Sequence, residues 1–401
     1  MNILVVSQYF YPENFRINDL CYGLKEKGNK VTVLTAKPNY PFGRFFDGYS
    51  FFGKNDEKIK GIDVYRAKVI PRGSANGLML SINYISFVFF GCIKLLKIKG
   101  NFDKVLVFAP SPITVGFVGI FASIVFRCKS FLWVHDLWPE SVKHAGGIKN
   151  SFIIKIVDVM TRMIYSKFNF ILVQSPDFEN YLVKQNVPKN KIIYYPYYAE
   201  DYYKVTKEDE DIKLIFPDGL NIVFAGNIGV AQSFDTIIDA VKIASKNINK
   251  LTIIILGDGR DRERVEKKIL DQNLQEYFKF LGSYPPEKMP FYFASADALL
   301  VSLKKSKIFS LTIPSKIQSY LACGKPIIGS IDGIGSSIIN NAKCGYTGDS
   351  ENFKELAKNI IKFNNLKKEE KLKLGTNARK YYEKEFDREK LLNKLLKILI
   401  K

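Results

Sequence analysis

Cysteine is scarce in this chain, and histidine scarcer still. Five cysteines, at 21, 92, 128, 323 and 344, are scattered over 401 residues with no CxxC pair and no metal-ligand cluster. That excludes a disulfide framework and a zinc module, and it fits the reduced thiols of a cytoplasmic protein. Only two histidines, His135 and His144, are available for proton transfer. There is no HExxH, no Walker lysine loop, no GxSxG and no kinase motif set, so the common hydrolase and phosphotransferase signatures are missing. No GxGxxG follows the first apolar run, against a dinucleotide fingerprint. The "DED" at 209–211 has the look of a metal-binding DxD but lies in a polar stretch and reads as solvated charge. No metal and no cofactor is expected.

What is present is a globular composition, 47% hydrophobic and 25% charged, with 60 Lys+Arg against 40 Asp+Glu. A net charge of +20 favours anionic partners: nucleotides, diphosphates, acidic headgroups or nucleic acid. The excess is lysine spread along the chain, which a lysine-rich background explains as readily as a functional basic surface. No nucleic-acid module or aromatic stacking platform accompanies it, so nucleic acid is not an expected partner. The opening "MNILVVSQYF" reads as a short strand and not as a targeting leader.

Short apolar runs alternate with longer helical patterns. "NILVV" (2–6), "KVTVLT" (30–35), "DVYRA" (63–67), "KVLVF" (104–108), "SFLWV" (130–134) and "FILVQ" (170–174) form a first series. A second comprises "NIVFAG" (221–226), "LTIIILGDG" (251–259), "FKFLG" (278–282), "DALLVSL" (297–303) and "PIIGS" (326–330). This is the pattern of βαβ units around buried parallel sheets. The fold class is α/β, with two doubly wound Rossmann-like domains. Residues 1–200 form the first domain, 201–218 a linker, 219–385 the second domain, and 386–401 a final helix. In such folds ligands bind in the cleft facing the carboxyl ends of the strands.

One segment breaks the regularity. Residues 78–93 carry no charge, and Lys94, Lys97 and Lys99 follow. Ser81, Asn83 and Ser86, and its short length, argue against a membrane span. A second apolar stretch, "SPITVGFVGIFASIVFRCKS", also ends in basic residues. Each reads either as a core helix covering the sheet or as a helix in the membrane interface with its basic end on anionic headgroups.

The residues after each strand are the candidates for chemistry. After the first, "SQYFYPENFRINDL" gathers Asn14, Arg16 and Asn18 at a helix start, with Arg16 the charge best suited to a phosphate. After the second, the long Pro- and aromatic-rich loop "AKPNYPFGRFFDGYS" offers Asn39 and Tyr40 for an acceptor pocket. In "FLWVHDLWPES", His135 and Asp136 sit at a strand end between Trp133 and Trp138, placed to grip a sugar ring. In the second half, "FAGNIGVAQSFDTI" brings Gly226, Asn227 and Gly229 in a turn whose amides can approach a diphosphate. "LGDGRDR" repeats the device with Arg260 and Arg262. "SLTIPSKIQSYLACGKPIIG" then sets Thr312, Ser315 and Lys316 at a helix start, where free N–H groups and the dipole favour an anion. Three such devices after strands of one domain are far more specific than any alone.

With these motifs in order, the chain resembles the retaining glycosyltransferases of the GT-B fold, family 4 type. Within them it is most similar to bacterial surface-polysaccharide transferases for fucose and N-acetyl-L-fucosamine. The resemblance implies a deep interdomain cleft, a nucleotide-sugar donor held mainly by the second domain, an acceptor held mainly by the first, and a last helix crossing back. It implies no metal requirement. It also implies front-face transfer with retention, with His135 touching the donor sugar or transition state. Many relatives carry two glutamates near the 315–322 helix, where this chain has Leu311 and Ser319. Their Arg and Lys after the first strand of the second domain are here Asn227 and Gln232, replacements that the fucosamine-type branch shares. On this reading Lys316 and Arg260 supply the missing phosphate charge, Gln318 or Ser319 a ribose contact, and Leu311 tolerates the methyl of an L-6-deoxysugar. The expected donor is UDP-L-FucNAc. The expected acceptor is a polyprenyl-diphosphate-linked saccharide of O-antigen or capsule assembly. The expected location is the cytoplasmic face of an anionic membrane, held peripherally. A UDP-sugar 2-epimerase and a non-catalytic subunit of a polysaccharide complex are the rivals.

Overall fold

The computed structural model describes residues 1–53, 56–74, 76–144 and 150–401. The chain divides into two compact units, Met1–Pro196 with Leu392–Lys401, and Tyr197–Leu391.

The first unit contains β1 (Asn2–Ser7), β2 (Lys30–Ala36), β3 (Asp56–Ile59), β4 (Ile62–Ala67), β5 (Lys104–Ala109), β6 (Lys129–Val134), β7 (Phe170–Val173) and β8 (Ile192–Tyr194). They form one sheet in the order β3-β4-β2-β1-β5-β6-β7-β8. Only β3 runs antiparallel, joined to β4 by a two-residue turn in which Lys60 and Gly61 both take positive φ. The second unit contains β9 (Leu220–Ala225), β10 (Leu251–Leu256), β11 (Phe278–Gly282), β12 (Ala298–Ser302), β13 (Ile327–Ser330) and β14 (Gly345–Gly348). Its order is β11-β10-β9-β12-β13-β14, all parallel. In each sheet the winding reverses once, between β1 and β5 and between β9 and β12. The loops leaving those strand ends are the places where a doubly wound sheet opens to a ligand.

The apolar runs become central strands because both of their faces are covered. In the second unit Val223, Ile254, Leu299 and Val301 join one core layer, while Ile222, Phe224, Ile253 and Leu300 join the other. This period of two is what a strand buried on both faces imposes. The strands not expected from the sequence, β3, β8 and β14, all lie at sheet edges. One-sided burial asks for no apolar run there, and "DEKI" and "GYTG" have none.

Residues 201–218, expected as a linker, are folded onto the second unit. Tyr203, Ile212 and Phe216 pack on its core, and Asp209 of the "DED" run caps the short helix Glu210–Lys213, accepting from the Ile212 N–H at 3.0 Å. The uncharged segment forms a helix, Gly77–Leu95, which is 19 residues long. By length and composition alone it could cross a membrane, contrary to the expectation that it is too short. Its inward face mixes apolar Phe87 and Leu95 with polar residues. Asn83 is fully buried and Ser86 nearly so. The Asn83 amide donates to the Ile70 carbonyl at 2.6 Å, and the Ser86 hydroxyl accepts from the Ile70 N–H at 2.9 Å. Leu78, Ile85, Phe89 and Ile93 of the same helix are exposed, so its outer face is apolar too. The neighbouring helices Val115–Val125 and Ser151–Lys167 expose Ile124, and Phe152, Ile156, Val159 and Met163.

Candidate active site

Two glycine turns of the second unit interlock. The Gly226 N–H donates to the Leu256 carbonyl at 2.8 Å, Ile228 N–H to Asp258 at 2.9 Å and Asp261 N–H to Ile228 at 3.1 Å. Gly257 has φ +142°, and a Cβ there would lie 1.9 Å from the Gly226 oxygen; one on Gly259 would lie 2.1 Å from the Ile228 oxygen. Backbone meets backbone here, so no side chain fits at either position. The buried Tyr320 phenol accepts from the Ala225 N–H at 3.1 Å and holds the end of β9 that leads into the first turn.

The helix Ser315–Ala322 brings the cation. Pro314 stands just before it. It is closed by Gly324 at φ +64°, with Gly324 N–H bonded to the Leu321 carbonyl and Lys325 N–H to the Tyr320 carbonyl, the bond pair of a Schellman ending. Lys316 reaches the first glycine turn: its Nζ donates to Gln232 Oε1 at 3.2 Å and lies 3.8 Å from the centre of the Phe224 ring. A Cβ at Gly226 would stand 3.3 Å from that Nζ, so glycine leaves the ammonium its place. Burial lowers the Lys316 pKa to about 7. No carboxylate pairs with it among the described residues. A desolvated ammonium against a glycine turn, with no carboxylate beside it among the described residues, is a site that an anion can complete.

The other donor-site candidates divide. Gly226, Asn227 and Gly229 share the turn that Lys316 reaches, with the Asn227 side chain exposed. Ser315 is exposed at the helix start, and Arg260 is exposed on the second turn. Arg262 is instead tied to Glu266 at 2.8 Å. The Thr312 hydroxyl turns away to the Ile308 carbonyl at 2.9 Å. Gln318 is fully buried; with its amide oriented to satisfy both ends, its nitrogen donates to the Pro314 and Ser315 carbonyls. It braces the helix start and offers nothing to a ribose, because its donors are spent on the backbone. Ser319 is buried on the same helix, and Leu311 is partly exposed at the end of helix Lys307–Leu311.

In the first unit a buried carboxylate organises the strand-end loops. Glu13 Oε1 accepts from the Asn39 N–H at 2.9 Å and the Tyr40 N–H at 2.8 Å, and Oε2 from the Phe10 N–H at 3.3 Å. Desolvation raises its pKa to about 7 against those hydrogen bonds. Asn39 is itself buried, with its amide bonded to the Lys37 carbonyl and its oxygen taking the Arg72 N–H at 3.2 Å. It shapes the pocket wall and does not face an acceptor, since its polar atoms are used internally. Tyr40 is exposed, and its ring meets Tyr9 and Phe15, which stack at 4.6 Å. Asn14 is exposed in the same loop, and Arg16 precedes helix Ile17–Glu26. His135 packs between Phe108 and Trp133; burial, then the Arg16 charge, holds its pKa well below the usual histidine value, so it is a neutral imidazole. Burial raises Asp136 to about 7, a value at which a carboxyl can exchange a proton near neutrality.

Comparison with known proteins fits this geometry. Residues 205–381 match the family model of glycosyl transferases group 1, and that stretch lies inside the second unit. The chain is 23% identical over 339 residues to the putative colanic acid biosynthesis glycosyl transferase WcaI of Escherichia coli K12, covering 81% of this chain and 82% of that one. The second unit therefore carries a glycosyl transferases group 1 domain. Sucrose-phosphate synthase of Thermosynechococcus elongatus shares its fold with a TM-score of 0.76 at 17% identity, over 99% of this chain and 98% of the other. Anabaena HepE in complex with UDP-glucose does so at 0.71 and 15%, over 100% and 99%. Both units thus have the GT-B architecture.

Sequence reasoning missed the internal clamps of the first unit. Glu13, Lys37 and Arg66 are all buried. Lys37 donates to the carbonyls of Ser50, Phe51 and Gly53; Arg66 donates to Glu57 and to the carbonyls of Ala36 and Tyr11. Nothing local distinguishes these charges from surface ones. The one available signal is their position at the ends of β1, β2 and β4.

Proposed function

We propose that this glycosyltransferase moves a sugar, with retention, from a UDP-linked donor to a lipid-linked saccharide in bacterial surface-polysaccharide assembly, with UDP-L-FucNAc as the leading donor. The observation that carries the reading is Lys316, whose desolvated ammonium lies against the Gly226 turn with no carboxylate beside it among the described residues. It stands where a donor diphosphate needs charge, in a chain that has Asn227 and Gln232 where relatives place Arg and Lys. HepE, solved with UDP-glucose, and WcaI, named for colanic acid biosynthesis, support a UDP-sugar and a polysaccharide product.

In the proposed reaction the bond from the sugar's anomeric carbon to the diphosphate oxygen breaks. The acceptor oxygen bonds to the same face of that carbon, and the acceptor proton passes to the leaving diphosphate. Lys316, the turn amides and the N–H groups of the helix start at Ser315 stabilise the charge that grows on the diphosphate. His135 and Asp136 are the proposed catalytic contacts of the first unit, and Tyr40 and Asn14 the acceptor contacts. No protein nucleophile is needed. The exposed apolar faces of Gly77–Leu95 and Ser151–Lys167, on a chain of net charge +20, support peripheral attachment to an anionic membrane.

A donor screen tests the proposal: UDP-L-FucNAc, UDP-GlcNAc, UDP-glucose and GDP-L-fucose against lipid-linked monosaccharides, with product anomers read by NMR. Transfer from a UDP-sugar with retention is expected. An inverted product, or sugar release without any acceptor, would overturn it.

A further inference from the structure

We infer that Arg72, with Tyr84 and Tyr9, forms a diphosphate-binding subsite in the first unit. The inference rests on the lipid-linked acceptor proposed above and names the group of that acceptor that the protein grips.

Of the cations around the ends of β2 and β4, Lys37 and Arg66 are fully used, and Lys68 lies over the Phe51 and Phe52 rings, 5.1 and 4.6 Å from their centres. Lys37 spends its donors on three carbonyls, and Arg66 pairs with Glu57 and two carbonyls. Arg72 differs. Its Nη2 donates to the Tyr84 hydroxyl at a long 3.4 Å, and its guanidinium lies 5.0 Å from the centre of the Tyr40 ring. Its Nε is buried without an acceptor. No carboxylate pairs with it among the described residues. A buried guanidinium donor left unsatisfied is costly, and a ligand oxygen relieves that cost.

The surroundings specify the ligand's chemistry. The Tyr84 and Tyr9 phenols both lie within reach of the Arg72 charge, and burial raises both, so they remain neutral. A planar fork of guanidinium nitrogens beside two phenols matches the several oxygens of a phosphate group. Tyr84 belongs to helix Gly77–Leu95, whose Leu78, Ile85 and Phe89 are exposed. One helix therefore joins an anion site to an apolar outer face, as a prenyl diphosphate requires.

The test is calorimetric titration of the full chain, saturated with UDP so that the glycine turns are occupied. Farnesyl diphosphate, inorganic pyrophosphate and farnesol serve as probes. Arg72→Ala should weaken farnesyl diphosphate about 10- to 100-fold while UDP and farnesol affinities stay as in wild type. Tyr84→Phe, which keeps the ring, should weaken it by less. Tighter binding of farnesyl diphosphate than of pyrophosphate, both dependent on Arg72, assigns the site to a lipid-linked diphosphate; equal affinities assign it to the diphosphate group alone. Unchanged farnesyl diphosphate affinity in Arg72→Ala, with an unchanged melting temperature, overturns the subsite. Failure of wild type to bind UDP would instead strike the glycosyl-donor reading and leave Arg72 to be judged on pyrophosphate.

Discussion

Lys316→Met removes the ammonium from the first glycine turn while keeping an apolar stem over the Phe224 ring. In the free protein Lys316 titrates at about 7 because burial strips its hydration. At pH 7 it is therefore about half protonated. A diphosphate against Nζ favours the charged form and restores the ordinary lysine value, so the complex holds more protons than the free protein. Binding of a UDP-sugar should then take up about 0.1, 0.5 and 0.9 of a proton at pH 6, 7 and 8. Affinity should fall about fivefold between pH 7 and 8, since proton uptake opposes binding as pH rises. Calorimetry in buffers of different ionisation enthalpy reads the uptake directly. Lys316→Met should show no uptake and a flat pH profile, and should bind about 10- to 100-fold more weakly at pH 6 to 7. Donor turnover should fall by at least as much. Zero uptake in the wild type, together with unchanged affinity in the variant, would refute the placement of the diphosphate at Lys316.

Gly257→Ala should abolish UDP binding and cost about 2–5 kcal/mol in unfolding experiments, because the new Cβ lands on the Gly226 oxygen at a backbone angle that disfavours it. Glu13 is raised from 4.5 to about 7 by burial. The unfolded chain therefore binds fewer protons across that window, and stability falls as pH rises from 4.5 to 7, by at most about 3 kcal/mol. Asp136, raised likewise by burial, adds a slope of the same sign, so Glu13→Gln should reduce the slope in melts taken at intervals between pH 4.5 and 7.5; an unaltered slope would clear Glu13 of the role. The protein should sediment with phosphatidylglycerol-containing vesicles at low salt and release as salt rises. The pair Ile85→Ser and Phe89→Ser should reduce vesicle binding about tenfold or more, and full recovery of wild type in the supernatant at low salt would remove the membrane from the account.

Much of the candidate donor site is legible in the sequence because its parts are local. Gly226, Gly257 and Gly259 announce turns that admit no side chain, and Pro314 and Gly324 mark the two ends of one helix. The central strands are equally plain, since a strand covered on both faces has to be apolar throughout. Edge strands such as β3 and β14 carry no such demand, and they pass unnoticed. Gln318 and Asn39 show the opposite error: polar residues in the right segments look like ligand contacts until burial turns their amides onto the backbone.

The alternation of apolar runs and helical stretches by itself determined two parallel-sheet units and the loops in which chemistry had to lie, because backbone period and burial are written residue by residue. Only the tertiary structure decided which charges serve as struts and which are left without a neutralising partner. Lys37 and Arg66 find carbonyls or a carboxylate from distant loops, whereas Lys316 and Arg72 find none among the described residues that neutralises them. The same holds for helix Gly77–Leu95, whose sequence is apolar enough for a core or a membrane. Asn83 and Ser86 face inward together with Phe87 and Leu95, and Leu78, Ile85 and Phe89 stay outside. A side chain's partners depend on what folding brings within a few ångströms, and no spacing along the chain contains that information.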